Sequence, residues 1–125
     1  MKKKELFSAD CPEAIGPYSE GIQIGNLVFT GQIGTLKSGE MISDSPAEQT
    51  QQCLRNIASI LKASELELDD VVKCTVYLTN MDYFEEVNEA YRMFFKKPYP
   101  ARVCIQIAGL PANAKVEIDA IAYSK

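Results

Sequence analysis

Residues 102–107 and 116–123 most constrain the fold, because both alternate with a period of two and both put charge where a small domain usually puts its core. In the first stretch, Val103, Ile105 and Ile107 point one way, and Arg102, Cys104 and Gln106 the other. In the second, Val116, Ile118, Ala120 and Ala122 form an apolar face opposite Glu117, Asp119, Ile121 and Tyr123. Gly109, Pro111 and Asn113 supply turn chemistry between them, so the simplest expectation is an antiparallel hairpin. If both apolar faces look into the core, Arg102 and Cys104 share the opposite face with Glu117 and Asp119, within about two rungs of each other. A guanidinium beside carboxylates on a sheet face has an ordinary meaning, a cross-strand ion pair that keeps a wet face soluble. It also has a sharper one, a ligand site.

The rest of the chain limits what chemistry such a face can perform. Its 125 residues, 46% hydrophobic, suffice for one globular domain spanning 1–125 with a proper core and no disulfide staples. A net charge of −4 argues against nucleic acid as the main partner. Lys2, Lys3 and Lys4 form the only dense basic run, and no apolar segment follows to make a signal peptide or membrane anchor. A cytoplasmic protein is therefore expected, with Cys11, Cys53, Cys74 and Cys104 as reduced thiols, since no two form a C-x-x-C pair. There is no histidine. That removes Ser-His and Cys-His dyads, His-ligated zinc and an imidazole base, leaving carboxylates, Arg, Tyr, thiols, backbone groups and water.

Taken in order, the chain opens with a short strand expected at residues 5–7. An irregular segment broken by Pro12, Gly16 and Pro17 then presents Tyr18 and Ser19 on a loop, where a tyrosine serves either as a surface lid or as a ligand contact. Ile22 and Ile24, the Gly25-Asn26 turn and residues 27–30 read as a hairpin, and Gly31 and Gly34 read as points of bulge or close backbone approach. Ser45-Pro46-Ala47-Glu48 carries an N-cap, a first-turn proline and the glutamate of a capping box. The helix it starts buries Cys53, Leu54, Ile57, Ile60 and Leu61. Residues 71–79 return to period two, with Val72, Cys74, Val76 and Leu78 expected inside. A second helix is expected from Asp82, boxed by Glu85, to Phe95. Its buried stripe is Phe84, Val87, Tyr91, Phe94 and Phe95, with Asn88 at the edge.

Strands, helix, strand, helix, strands make an α+β plan, a mixed sheet of about six strands with two helices on one face. The other face stays uncovered. Lys73, Thr75, Tyr77, Arg102, Cys104, Gln106, Glu117, Asp119 and Ile121 are assigned to it, too polar for a closed core yet apolar enough to meet something. A homo-oligomer built on this face would place Arg102 and Glu117 in or beside a subunit cleft.

On IGPYSEG at residues 15–21, VFTGQIG at 28–34, SGE at 38–40, FEEVNEAY at 84–91, and above all PARVCIQIAGLP followed by KVEIDAIA, the chain resembles the RidA (YjgF) family of reactive-intermediate deaminases over essentially its whole length. The resemblance implies a chorismate-mutase-like homotrimer with three inter-subunit clefts. It also implies hydrolysis of 2-imino acids and enamines, such as 2-iminobutanoate and 2-iminopropanoate, to 2-oxo acids and ammonia without metal or organic cofactor. Carried onto matching positions, Arg102 is similar to the family's carboxylate-binding arginine and Glu117 to its water-positioning glutamate. Cys104 is similar to the pocket cysteine, Tyr18 to the tyrosine closing the cleft from the neighbouring subunit, and Gly31 to the glycine whose backbone meets the ligand. Thr30 stands where many members have Ser, Gly34 where many have Pro, and Val103 where a small or hydroxylated residue is frequent. Gly34 is expected to loosen the loop over the cleft and Val103 to face the core, which bears on substrate range more than on reaction type.

The residues suit that chemistry. A protonated imine carbon is already electrophilic, so hydrolysis needs a fixed carboxylate, an aimed water and an orienting charge rather than a strong nucleophile. Arg102 can grip a carboxylate with two parallel N–H bonds, and Cys104, with no base to deprotonate it, reads as a pocket wall. Two other classes use the same residues differently: a module that binds small carboxylates without turnover, and a ribonuclease or translation inhibitor, which the acidic balance and missing histidine disfavour.

Overall fold

Helix α1, Pro46–Lys62, forms where its capping sequence places it, with the Glu48 N–H donating to Ser45 Oγ at 3.1 Å. Glu48 does not return the bond; the Ser45 N–H donates instead to Ser43 Oγ at 3.0 Å, so the expected box is half formed. Cys53, Leu54, Ile57, Ile60 and Leu61 are wholly buried, as their spacing requires. Each full-sized apolar side chain among them contributes roughly 1.5 to 3 kcal/mol by leaving water. The helix ends in a reversed turn at Glu65 (φ 60°), where the Leu66 N–H reaches Leu61 O at 3.0 Å.

In the computed structural model, which describes all residues 1–125, this helix and α2 (Phe84–Arg92) cover one face of a six-stranded sheet. The strands are β1 (Lys4–Leu6), β2 (Gly21–Ile24), β3 (Leu27–Ile33), β4 (Val71–Leu78), β5 (Ala101–Gln106) and β6 (Val116–Tyr123), in the spatial order β1-β2-β3-β6-β4-β5. The Gly25-Asn26 hairpin is present, with Gly25 at φ 54°. Val28, Val76, Val116 and Ile118 pack with α1 into the core. Gly31 continues β3 in an ordinary extended strand instead of interrupting it.

The last two strands depart from the hairpin expectation. β5 pairs in parallel with β4, joined to it through α2, whereas β6 pairs antiparallel with both β4 and β3. Residues 107–115 therefore do not form a turn between partners. They step across the end of β4, with the Ile107 N–H bonded to Leu78 O on one side and the Thr79 N–H to Lys115 O on the other. A parallel pair with a helical crossover competes with a hairpin for the same period-two run, and nothing local decides between them.

The parity of β5 is also reversed. Arg102 stands opposite Cys74, Cys104 opposite Val76 and Gln106 opposite Leu78, so these three lie on the helix-covered side. Val103 and Ile105 turn to the uncovered face and are 46% and 40% exposed there. The rule that apolar residues point inward assumes one buried face. Here the uncovered face is itself substantially apolar, carrying Phe29, Ile33, Ile121, Val103 and Ile105 around Asp119, while the short α2 leaves room over the edge strand for a polar row.

Two smaller corrections follow from local hydrogen bonding. A bulge between Val71 and Lys73 buries Val71 and leaves Val72 exposed. The second helix is preceded by a 3₁₀ turn, Met81–Tyr83, capped by Asn80 Oδ1, which accepts from the Asp82 N–H at 2.9 Å; the Asp82–Glu85 box is absent.

Candidate active site

Glu117 projects from β6 on the uncovered face, opposite Ile33 of β3 and Tyr77 of β4. Its carboxyl is half-buried and held above the ordinary glutamate value, first by desolvation and then by the negative charge of Asp119. Asp119 is already satisfied, accepting from the Thr75 N–H at 3.0 Å and the Tyr77 hydroxyl at 2.8 Å. Of the two carboxylates, Glu117 is thus the one free to act on something else. Gly31 makes room beside it: a Cβ at that position would stand 3.4 Å from Asp119 Cβ and 3.8 Å from Glu117 Oε2. Tyr18 lies 57% exposed on the preceding loop, its hydroxyl accepting from the Ile15 N–H at 3.3 Å. Tyr18, Gly31 and Glu117 line one cavity of about 1100 Å³. A separate groove of about 780 Å³, lined by Lys62, Leu66, Met93 and Lys96 among others, holds none of the expected site residues.

Arg102 and Cys104 form a second group, apart from that cavity. The Arg102 guanidinium carbon sits 4.9 Å from the Tyr91 ring centre and 5.8 Å from that of Phe84. No carboxylate of the chain pairs with it, since the one ion pair joins Lys96 and Asp69 on the surface at 3.1 Å. The cross-strand ion pair is therefore excluded, and so is the shared face: Arg102 and Glu117 lie on opposite sides of the sheet with β4 between their strands. Cys104 packs against the margin of the core. Desolvation pushes its thiol up, and the nearby Arg102 charge works the other way. A protonated, half-buried thiol is a wall, not a nucleophile. The chain thus presents an unpaired cation at one sheet edge and an unpaired carboxylate above a cavity on the other face.

A family model described as Endoribonuclease L-PSP matches residues 8–124. Reactive Intermediate Deaminase A, chloroplastic, of Arabidopsis thaliana is 46% identical over 96% of this chain and 66% of its own length. Human 2-iminobutanoate/2-iminopropanoate deaminase is 39% identical over 96% of this chain and 89% of its own. The chain belongs to the RidA (YjgF) family. A RidA-like backbone is equally clear in three dimensions: the crystal structure of E. coli TdcF with bound serine matches with a TM-score of 0.91 at 38% identity, covering 98% of this chain and 99% of that one.

Seen in this RidA-family fold, the unusual positions acquire definite roles. The Thr30 hydroxyl faces the helix side and donates to Glu20 O at 2.7 Å, tying the Tyr18 loop to β3. Gly34 does not loosen a loop over a cleft. It is buried against α1, where a Cβ would come within 2.8 Å of Gln49 Cα and 2.9 Å of Gln49 O. Val103 faces the uncovered side, not the core. Asn88 is half-buried on α2 and belongs to neither group. Glu20, which the sequence reading passed over, lines the same cavity as Glu117. Its Oε1 is cut off from solvent without a hydrogen-bond partner, and desolvation, then Glu13 and Glu5, raise its pKa. The available signal was an acidic residue fixed between Tyr18 and Gly21 at the end of a Pro/Gly loop. No helix of this RidA-family chain is long and apolar enough to cross a membrane.

Proposed function

We propose that the chain hydrolyses reactive 2-imino acids and their enamine tautomers to 2-oxo acids and ammonia, in clefts formed between subunits of a homotrimer. The observation that carries this reading is the separation of two complementary halves. Arg102 is a cation without an anion, Glu117 is a carboxylate without a partner, and one chain cannot bring them together. An assembly that sets the β5 edge of one chain against the β3/β6 face of the next would complete the site and cover the apolar residues of the open face. Human 2-iminobutanoate/2-iminopropanoate deaminase and the serine-bound E. coli TdcF support a small substrate carrying a carboxylate.

The chemistry follows from the side chains. Arg102 holds the substrate carboxylate through two charge-assisted N–H bonds, fixing the C=N carbon. Glu117 accepts a hydrogen bond from water, and as the water oxygen bonds to that carbon the proton passes to the carboxylate. The carbinolamine that results from the protonated imine takes that proton on nitrogen. As the C–N bond breaks, the carboxylate of Glu117 accepts the hydroxyl proton, so that the oxygen becomes the ketone of the 2-oxo acid and the departing ammonia carries the proton away as ammonium. Gly31 keeps a side chain out of the water's path, Tyr18 stands at the mouth of the cavity, and Cys104 closes the arginine side. A phosphodiester substrate suits this site less, because Glu5, Glu13, Glu20 and Glu117 share the cavity wall.

The test is ammonia and 2-oxobutanoate formation from 2-iminobutanoate generated in situ by an amino acid oxidase. Arg102→Ala should lower turnover at least about tenfold, and Glu117→Gln by about a hundredfold. Wild-type protein that binds 2-oxobutanoate without accelerating ammonia release would make it a sensor instead.

A further inference from the structure

Phe84 and Tyr91 lie seven residues apart on α2, two turns along the same face, and both turn their rings toward Arg102. Tyr91 is 6% exposed and held from below by Phe95, with ring centres 4.7 Å apart. Its buried hydroxyl makes no hydrogen bond of good geometry and has only the Cys74 thiol, a weak partner, beside it, so no strong polar anchor explains this ring. Arg102 for its part has no ion pair within the chain, and nothing but its strand and these two rings fixes its direction. A guanidinium over an aromatic face leaves its N–H edge free, whereas one pinned by a carboxylate does not.

The geometry points to Tyr91 and Phe84 as positioning residues, an aromatic seat on α2 that aims the Arg102 guanidinium before any carboxylate arrives. This inference rests on the reading of Arg102 as the substrate anchor and adds how that anchor is set. An arginine free to swing must be ordered by the ligand, and that ordering weakens binding; a seated arginine has lost its freedom on folding. The seat also gives α2 a functional role beyond covering the sheet.

The experiment is calorimetric titration with 2-oxobutanoate of the intact assembly, in wild type and in Arg102→Ala, Tyr91→Phe, Tyr91→Leu and Phe84→Leu, alongside initial rates. Tyr91→Phe keeps the ring and should hold affinity within about twofold. Tyr91→Leu should weaken it about tenfold and Phe84→Leu about threefold, with KM rising and kcat at saturation largely retained. The Arg102 Nε–H signal in NMR should show faster side-chain motion in Tyr91→Leu than in Tyr91→Phe, which general loosening of the core would not produce selectively. If Tyr91→Leu fails to fold, Phe84→Leu carries the test alone, because Phe84 is 36% exposed and its loss spares the core. Weakened binding in Arg102→Ala with wild-type affinity in the leucine variants overturns the seat and leaves the anchor standing. Wild-type affinity in Arg102→Ala overturns both.

Discussion

If each active cleft takes its arginine from one chain and its glutamate from the next, two variants that are separately inactive should restore each other. Arg102→Ala removes only the cation half, and Glu117→Gln only the carboxylate half. The two positions lie on opposite faces of the sheet with β4 between them, so neither substitution touches the other's surroundings. Losing a charge-assisted bidentate contact costs about 1.5 to 3 kcal/mol, or roughly 10- to 100-fold in activity. Losing the ionised acceptor costs about 100-fold. Co-expressed in equal amounts and assembled at random, about a quarter of the clefts in a cyclic trimer receive an intact arginine from one side and an intact glutamate from the other. The mixed sample should therefore recover to about a quarter of wild-type turnover, well above either parent. Differently tagged chains, purified in tandem so that mixed assemblies are isolated, allow 2-oxobutanoate formation to be measured on that fraction alone, where one cleft in each trimer is intact and turnover should reach about a third of wild type. Mixed assemblies no more active than their parents would refute a site shared between chains.

If Glu117 positions the attacking water as proposed, it must be ionised to accept from it, and it then sets the acid limb of the pH profile. Because its pKa is raised, activity is fully present above the folded value and lost as pH falls through it, so the acid limb should have its midpoint above 4.5, the ordinary glutamate value. Asp119→Asn removes one cause of that shift and should move the limb to lower pH; a limb that stays in place would separate the titration from this pair of carboxylates. Cys104→Ser should retain activity within about threefold, since the thiol is protonated and serves as a wall, and turnover falling to background would demand a covalent thiol route. Gly34→Ala forces a methyl group against the α1 backbone and should cost about 1 to 3 kcal/mol, seen as a Tm lowered by several degrees at fixed protein concentration; an unchanged Tm would mean that α1 can move away from residue 34 freely.

What the sequence disclosed and what it hid divide along the range of the interactions involved. The Ser45 cap, the Gly25 turn and the alternation of β6 are decided by residues within a turn of each other, and all three are present. The neighbour of β5 is decided by residues about thirty positions away, and its parity by a second apolar face that no local pattern announces. Val103 and Ile105 were indistinguishable from core residues because they are equally apolar and alternate with the same period, although they face away from this chain's helices. The candidate site residues were singled out through motifs, while their division into two groups was not visible there, since motif order says nothing of sheet order. Glu20 was missed because a lone acid in a loop looks solvated until its oxygen is found enclosed.

Cys11, Cys53 and Cys74 are closed off in the core, with the Cys11 and Cys74 thiols pushed to about 11 by desolvation. At neutral pH only about one such thiol in ten thousand is ionised at any instant. A thiolate adds readily to the same carbon that water attacks in an imine, so under the proposed function reactive sulfurs here would be titrated away by the compounds the protein meets. Burial keeps these three thiols protonated and out of reach, and only unfolding would offer them to an electrophile.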